Sequence, residues 1–117
     1  MNSNPTAKRI LCFGDSNTWG QKPDKSGRLP INQRWTGRLQ VLLGNEYEVI
    51  EEGLGGRTTN LDDPERPGKN GLTYLVPCLQ SHQHLDLVVL FLGTNDLKRY
   101  FARSVSEIGE ALRSLIQ

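Results

Sequence analysis

LDLVVLFLG, residues 85–93, is a near-continuous Val, Leu and Phe run closed by Gly93. A run of this length without polar alternation predicts a strand covered on both faces, the habit of a parallel α/β sheet. Two shorter runs precede it. RILCF, residues 9–13, stops at Gly14 and Asp15, and YEVIEEGLGG, residues 47–56, carries glycines at its C-terminal end. Between the strands the spacing turns helical. In RWTGRLQVLLG, residues 34–44, Trp35, Leu39, Leu42 and Leu43 share helical spacing and Gly44 suits the position past a helix end. LTYLVPCLQSH, residues 72–82, predicts helix in two short pieces or with a kink, because of Pro77.

After the third strand, SVSE at 104–107 predicts a capping box with Ser104 as N-cap and Glu107 as its reciprocal partner. Val105, Ile108, Ala111, Leu112 and Leu115 then recur on one helical face. QKPDKSGRLPIN (21–32) and RTTNLDDPERPGKNG (57–71) are loops by their Pro, Gly and charge content. Strands alternating with helices predict a flavodoxin-like, doubly wound parallel sheet with right-handed crossovers. All strand C-termini then lie on one edge, where ligands gather. The turns GDSN (14–17), GLGGRTTN (53–60) and GTND (93–96) follow the three strands onto that edge.

The 117 residues, with 36% hydrophobic content, suit one domain spanning 1–117. A net charge of +1 with both signs interspersed leaves no footprint for nucleic acid or an anionic membrane, and no apolar run is long enough for a bilayer. Cys12 and Cys78 have neither metal-ligand nor disulfide-framework spacing, and the N-terminus has no secretory apolar segment. Reduced cysteines and a cytoplasmic location are expected.

Each turn has an ordinary reading beside a chemical one. Gly-Asp-Ser-Asn is good turn and capping composition, GLGG suits positive φ, and Asn95 suits a cap or an Asx-turn. The chemical reading needs a serine hydroxyl, a base within reach and donors for a developing oxyanion. Ser16 offers the hydroxyl; the N–H groups of Ser16 and Gly56 and the Asn95 amide offer the donors. A phosphate-binding reading of GLGGRTT lacks a Walker lysine and a full dinucleotide fingerprint.

FGDSNTWG, EEGLGGRTTN and LGTND, in this order after successive strands, resemble the first three sequence blocks of the SGNH (GDSL) hydrolase superfamily. RWTG, VIEEGLGGRTTNLDDP and LDLVVLFLGTNDLK resemble its arylesterase/acyltransferase branch. The resemblance covers nearly the whole chain. It implies a serine esterase or acyltransferase acting on small carboxylic esters, with water or an alcohol as acceptor and no metal or organic cofactor. Ser16 would be nucleophile and oxyanion donor, and Gly56 and Asn95 the other donors. Asp15 and Asp96 would be scaffold. Asn17 stands where the family usually has Leu. Arg57 and Trp19 are open between pocket lining and ordinary loop residues.

The family's fourth block, a C-terminal Asp-x-x-His with the base, has no counterpart here. His82 and His84 both precede strand three, at the sheet edge opposite the turns, about 20 Å from the nucleophile at about 3.3 Å per strand residue. Neither is expected to be the base. Loss of the catalytic His in a serine hydrolase costs on the order of 10⁶ in turnover, so the isolated chain is expected to be impaired. The sequence thus reads as the N-terminal part of a longer hydrolase. A homo-oligomer or association with a C-terminal fragment is expected. The rival reading is a catalytically silent binding or assembly module.

Overall fold

The computed structural model describes residues 1–98 and 101–116. They divide into two compact units, residues 1–55 with 84–91, and residues 56–83 with those from 92 onward.

The first unit is a three-stranded parallel sheet of order β2-β1-β3, with β1 at Lys8–Gly14, β2 at Tyr47–Gly53 and β3 at Leu87–Phe91. That is the strand order expected of a doubly wound sheet. β1 takes the centre because RILCF is apolar on both faces; Ile10, Leu11, Cys12 and Phe13 are all buried. Burial, then the Glu51 charge, pushes the Cys12 thiol up to about 11, as suits an unreactive core cysteine. Gly14 pairs with Gly53 on one side and Phe91 on the other, so the three strands end flush at one edge.

Two expectations about this unit need correction. β3 is shorter than residues 85–93 and is not covered on both faces: Leu87 and Phe91 are 53% and 50% exposed. It lies at the edge of the sheet, bonded only to β1 among the described residues. Its exposed end is met by Trp35, whose ring stands edge-on to Phe91 at 6.3 Å. In the helix α2 (Trp35–Leu43), Leu42 is 84% exposed despite its spacing. The buried face is Thr36 and Gly37, because a Cβ at Gly37 would overlap the Ile31 carbonyl.

Thr36 belongs to a polar cluster on β2. Arg34 donates to Glu51 through Nε (2.8 Å) and Nη2 (2.9 Å), Thr36 Oγ1 donates to the same carboxylate, and Arg28 lies at 3.9 Å. Burial alone would raise the Glu51 pKa, but these hydrogen bonds and charges outweigh it and hold it below the ordinary 4.5. A depressed folded-state pKa contributes stability above the unfolded value and loses it as pH falls through the folded one. Glu51→Gln is therefore expected to flatten the acid limb of the stability profile below pH 4.5 and leave its alkaline limb unchanged. Urea midpoints across pH read this; an acid limb as steep as the parent's would contradict it.

The second unit contains α3 (Gly71–Ser81), a 3₁₀ turn at Thr94–Leu97 and α4 (Val105–Ser114), with Leu75, Cys78, Ala111 and Leu115 buried. α3 is one continuous element, so Pro77 does not divide it. Pro77 and Thr73, whose carbonyl loses its usual donor, are both exposed, and water can take that role. The capping box forms as expected: Glu107 N donates to Ser104 Oγ (3.1 Å) and Ser104 N to Glu107 Oε1 (3.0 Å). Val105 departs from the expected apolar face, being 81% exposed in the first turn. No helix among the described residues is long and apolar enough to cross a membrane.

Candidate functional site

The first turn is built by close approach. Gly14 ends β1 where a Cβ would sit 2.1 Å from Thr18 Oγ1, and Leu54 N donates to the Gly14 carbonyl (3.1 Å). Asp15 caps the short helix α1 (Ser16–Trp19), with Oδ1 accepting from Asn17 N (3.0 Å) and its carbonyl from Trp19 N (2.9 Å). It is 2% exposed, so it acts as scaffold. Ser16 is the first residue of α1 and half-buried; its carbonyl accepts from Gly20 N (2.9 Å) and Gln21 N (3.0 Å). Its hydroxyl makes no hydrogen bond among the described residues. Trp19 is half-buried beneath the Arg28 guanidinium, 5.3 Å from the ring centroid.

β2 ends under this turn. A Cβ at Gly53 would sit 2.2 Å from Trp19 N and 2.7 Å from Thr18 C. Backbone cannot swing aside as a side chain can, so Gly53→Ala is expected to displace α1 and cost about 1–3 kcal/mol. The urea midpoint and the Ser16 amide resonance report the two effects. An unmoved Ser16 resonance would show that the turn does not rest on Gly53.

The second and third turns are held together within the second unit. Gly56 is buried at φ +81°, a left-handed conformation that glycine adopts without strain. Arg57, 3% exposed, lies over the Tyr74 ring at 5.2 Å. Its carbonyl accepts from Asn95 Nδ2 (3.0 Å). An amide nitrogen carries two donors; this bond fixes the Asn95 side chain, and the second N–H has no partner among the described residues.

Asp96, 0% exposed, accepts from Thr59 N (3.0 Å) at Oδ1 and from Thr59 Oγ1 (2.6 Å) at Oδ2. It is committed to structure, as expected for scaffold. Lys98 Nζ donates to buried Asp63 (3.3 Å), adding a tie between the loop after Gly56 and the third turn. α3 starts on the same loop: Gly71 N donates to Thr58 O (3.0 Å) and Leu72 N to Thr59 O (2.9 Å).

Asn95 and the Gly56–Arg57 turn are thus brought together in one unit, while Ser16 stands at the C-terminal end of β1 in the other. His84 lies at the opposite edge of the sheet from Ser16. Its carbonyl accepts from Arg9 Nη1 (3.0 Å) beside the start of β1, and its ring meets Asp86 at 3.2 Å in solvent. The whole length of β1 separates it from Ser16, on the order of 20 Å. His82 caps the C-terminal end of α3. Sequence reasoning assigned no role to Thr59 or Arg103, whose pairing with Asp96 joins residues far apart in the chain.

The model of the GDSL-like lipase/acylhydrolase family matches residues 12–117. Among solved structures, the inhibitor-bound aryl esterase of M. smegmatis superposes with TM-score 0.91 at 52% identity, covering 94% of this chain and 53% of that one. A carbohydrate acetylesterase from Sinorhizobium meliloti gives TM-score 0.88 at 50% identity, covering 93% and 53%. An esterase of the SGNH-hydrolase family gives TM-score 0.70 at 26% identity, covering 97% and 53%. The chain therefore spans about half the length of each of these structures. No curated protein matches.

Proposed function

Since this chain belongs to the GDSL-like lipase/acylhydrolase family, we propose that it carries the nucleophile and oxyanion donors of a serine esterase or acyltransferase for small carboxylic esters. The Ser16 hydroxyl attacks the ester carbonyl while its proton passes to an imidazole supplied from outside these 117 residues. The tetrahedral oxyanion accepts hydrogen bonds from the N–H groups of Ser16 and Gly56 and from the Asn95 amide. The bond to the leaving alcohol then breaks, and that alcohol takes the proton back from the imidazolium. Water or another alcohol, deprotonated by the same imidazole, attacks acyl-Ser16; the acyl–Oγ bond breaks, the imidazolium returns the proton to Ser16 Oγ, and the acid or a new ester leaves.

The observation that carries this reading is the Asn95 amide, fixed by one N–H on the Arg57 carbonyl with the other uncommitted. A fixed neutral donor stabilises charge without reorganising during the reaction. Support for an outside base comes from His84, held at the far edge of the sheet. Association with a polypeptide carrying the base belongs to the same proposal, and the exposed β3 edge suits such pairing. Homo-oligomer formation and a cytoplasmic setting are proposed with it; buried Cys12 and Cys78 suit a reducing compartment.

A fluorophosphonate probe with tandem mass spectrometry, paired with an aryl acetate assay, tests the reading. Both are run on this chain alone and on a polypeptide extended to the length of the matched esterases. Labelling at Ser16 with turnover in the extended polypeptide is the expected result. No labelling in either would establish the silent binding module instead.

A further inference from the structure

Arg103 lies outside every motif, yet its guanidinium is the cation on Asp96, a carboxylate of the second unit whose side chain is fully buried. Its Nη1 donates to Asp96 Oδ2 (3.1 Å) and reaches Thr59 Oγ1 (3.4 Å). We propose that Arg103 is a positioning residue that, through Asp96 and Thr59, fixes the Asn95 amide against the Gly56–Arg57 turn. The proposal rests on the role given above to Asn95 as an oxyanion donor.

The connection is a closed ring. Asn95 Nδ2 bonds Arg57 O, the backbone runs from Arg57 to Thr59, Thr59 N bonds Asp96 Oδ1, and Asp96 is the chain neighbour of Asn95. Two hydrogen bonds and two short backbone segments thus define where the amide points. The ring depends on an ionised Asp96 with 0% exposure, and a buried charge without a counter-charge is strongly unfavourable. Thr59 contributes neutral donors only. Among the described residues Arg103 alone brings a positive charge to Asp96, and one nitrogen of it touches both sides of the ring.

The backbone on either side of Arg103 indicates that its placement is enforced. Ala102 sits at φ +51°, a left-handed conformation that costs an L residue roughly 1–2 kcal/mol and persists where surrounding contacts over-determine it. On one side those contacts are the Arg103 bonds to Asp96 and Thr59. On the other they are the Ser104–Glu107 capping box, which sets the start of α4. α4 therefore delivers the guanidinium to Asp96.

Nuclear magnetic resonance on the intact chain tests this with Arg103→Met and Arg103→Lys. In Arg103→Met, Thr59 N–H exchange is expected to accelerate about tenfold or more, the scale of a lost charge-assisted hydrogen bond. The Asn95 Nδ2 proton resonances should shift with it, while Leu11 and Cys12 amides in β1 exchange as before. Arg103→Lys, which keeps the charge, should restore most of the Thr59 protection and of the Asn95 shift. Unchanged Thr59 exchange and Asn95 resonances in Arg103→Met would overturn the proposal, as would equal acceleration at Leu11. If the Met variant does not fold, Arg103→Lys decides: parent-like Asn95 resonances support the proposal, and displaced ones in a folded protein overturn it. Absence of ester turnover in any polypeptide would count against the esterase reading and leave these measurements to judge Arg103 separately.

Discussion

Ser16→Ala is expected to abolish fluorophosphonate capture and to lower aryl acetate turnover by about 10⁶-fold in the extended polypeptide, the scale seen when a serine hydrolase loses its nucleophile. The same substitution is expected to leave stability within about 0.5 kcal/mol of the parent. The structure explains why the two effects separate. Ser16 holds α1 through its carbonyl, which alanine retains, and its hydroxyl bonds nothing among the described residues. The cap comes from Asp15. A variant with normal urea midpoint and no capture places the chemistry on the hydroxyl. Retained turnover would remove Ser16 from the mechanism.

Asp96→Ala reverses that profile, with an expected loss of about 3–5 kcal/mol in folding stability, as for breaking a buried pair by removing one partner. Three donors lose their acceptor at once: Thr59 N, Thr59 Oγ1 and Arg103 Nη1. With total stabilities of about 5–15 kcal/mol for native domains, much of the folded population is at risk. Asp96→Asn keeps one acceptor oxygen and loses the charge, so a smaller loss of about 1–3 kcal/mol is expected. Asp15→Ala, which removes a helix cap, is expected to cost about 1 kcal/mol. Urea unfolding at constant m-value ranks the three. A loss under about 1 kcal/mol for Asp96→Ala would mean that Asp96 does not hold the two turns together.

These contrasting aspartates show how far local pattern reaches. Asp15 follows an apolar run and precedes a short helix, and a residue reading three or four positions either way recognises it as a cap. Asp96 sits in an equally ordinary tetrapeptide, GTND, and its partners are 37 positions back and 7 ahead. Nothing in the local composition of Thr59 or Arg103 announces that they share one carboxylate. Exposure was similarly hidden. LVVLF by itself has the composition of a covered strand; its edge position follows from the doubly wound order, in which the third strand flanks the first, and not from its local composition.

What depends on neighbours along the chain could be read from the residues: three strands, a glycine at the end of the first two, the capping box at Ser104, and Ser16, Gly56 and Asn95 as candidates. Periodicity, capping and turn preferences act over one to four residues, so they leave a signature in the order of amino acids. The flush ending of Gly14, Gly53 and Phe91, the backbone contact that requires glycine at 53, the continuity of α3 through Pro77 and the Asn95–Arg57 bond came from folding in three dimensions. Each depends on which distant atom lies within a few ångströms. Close packing and buried charge set that choice, and neither is written in any single stretch of sequence.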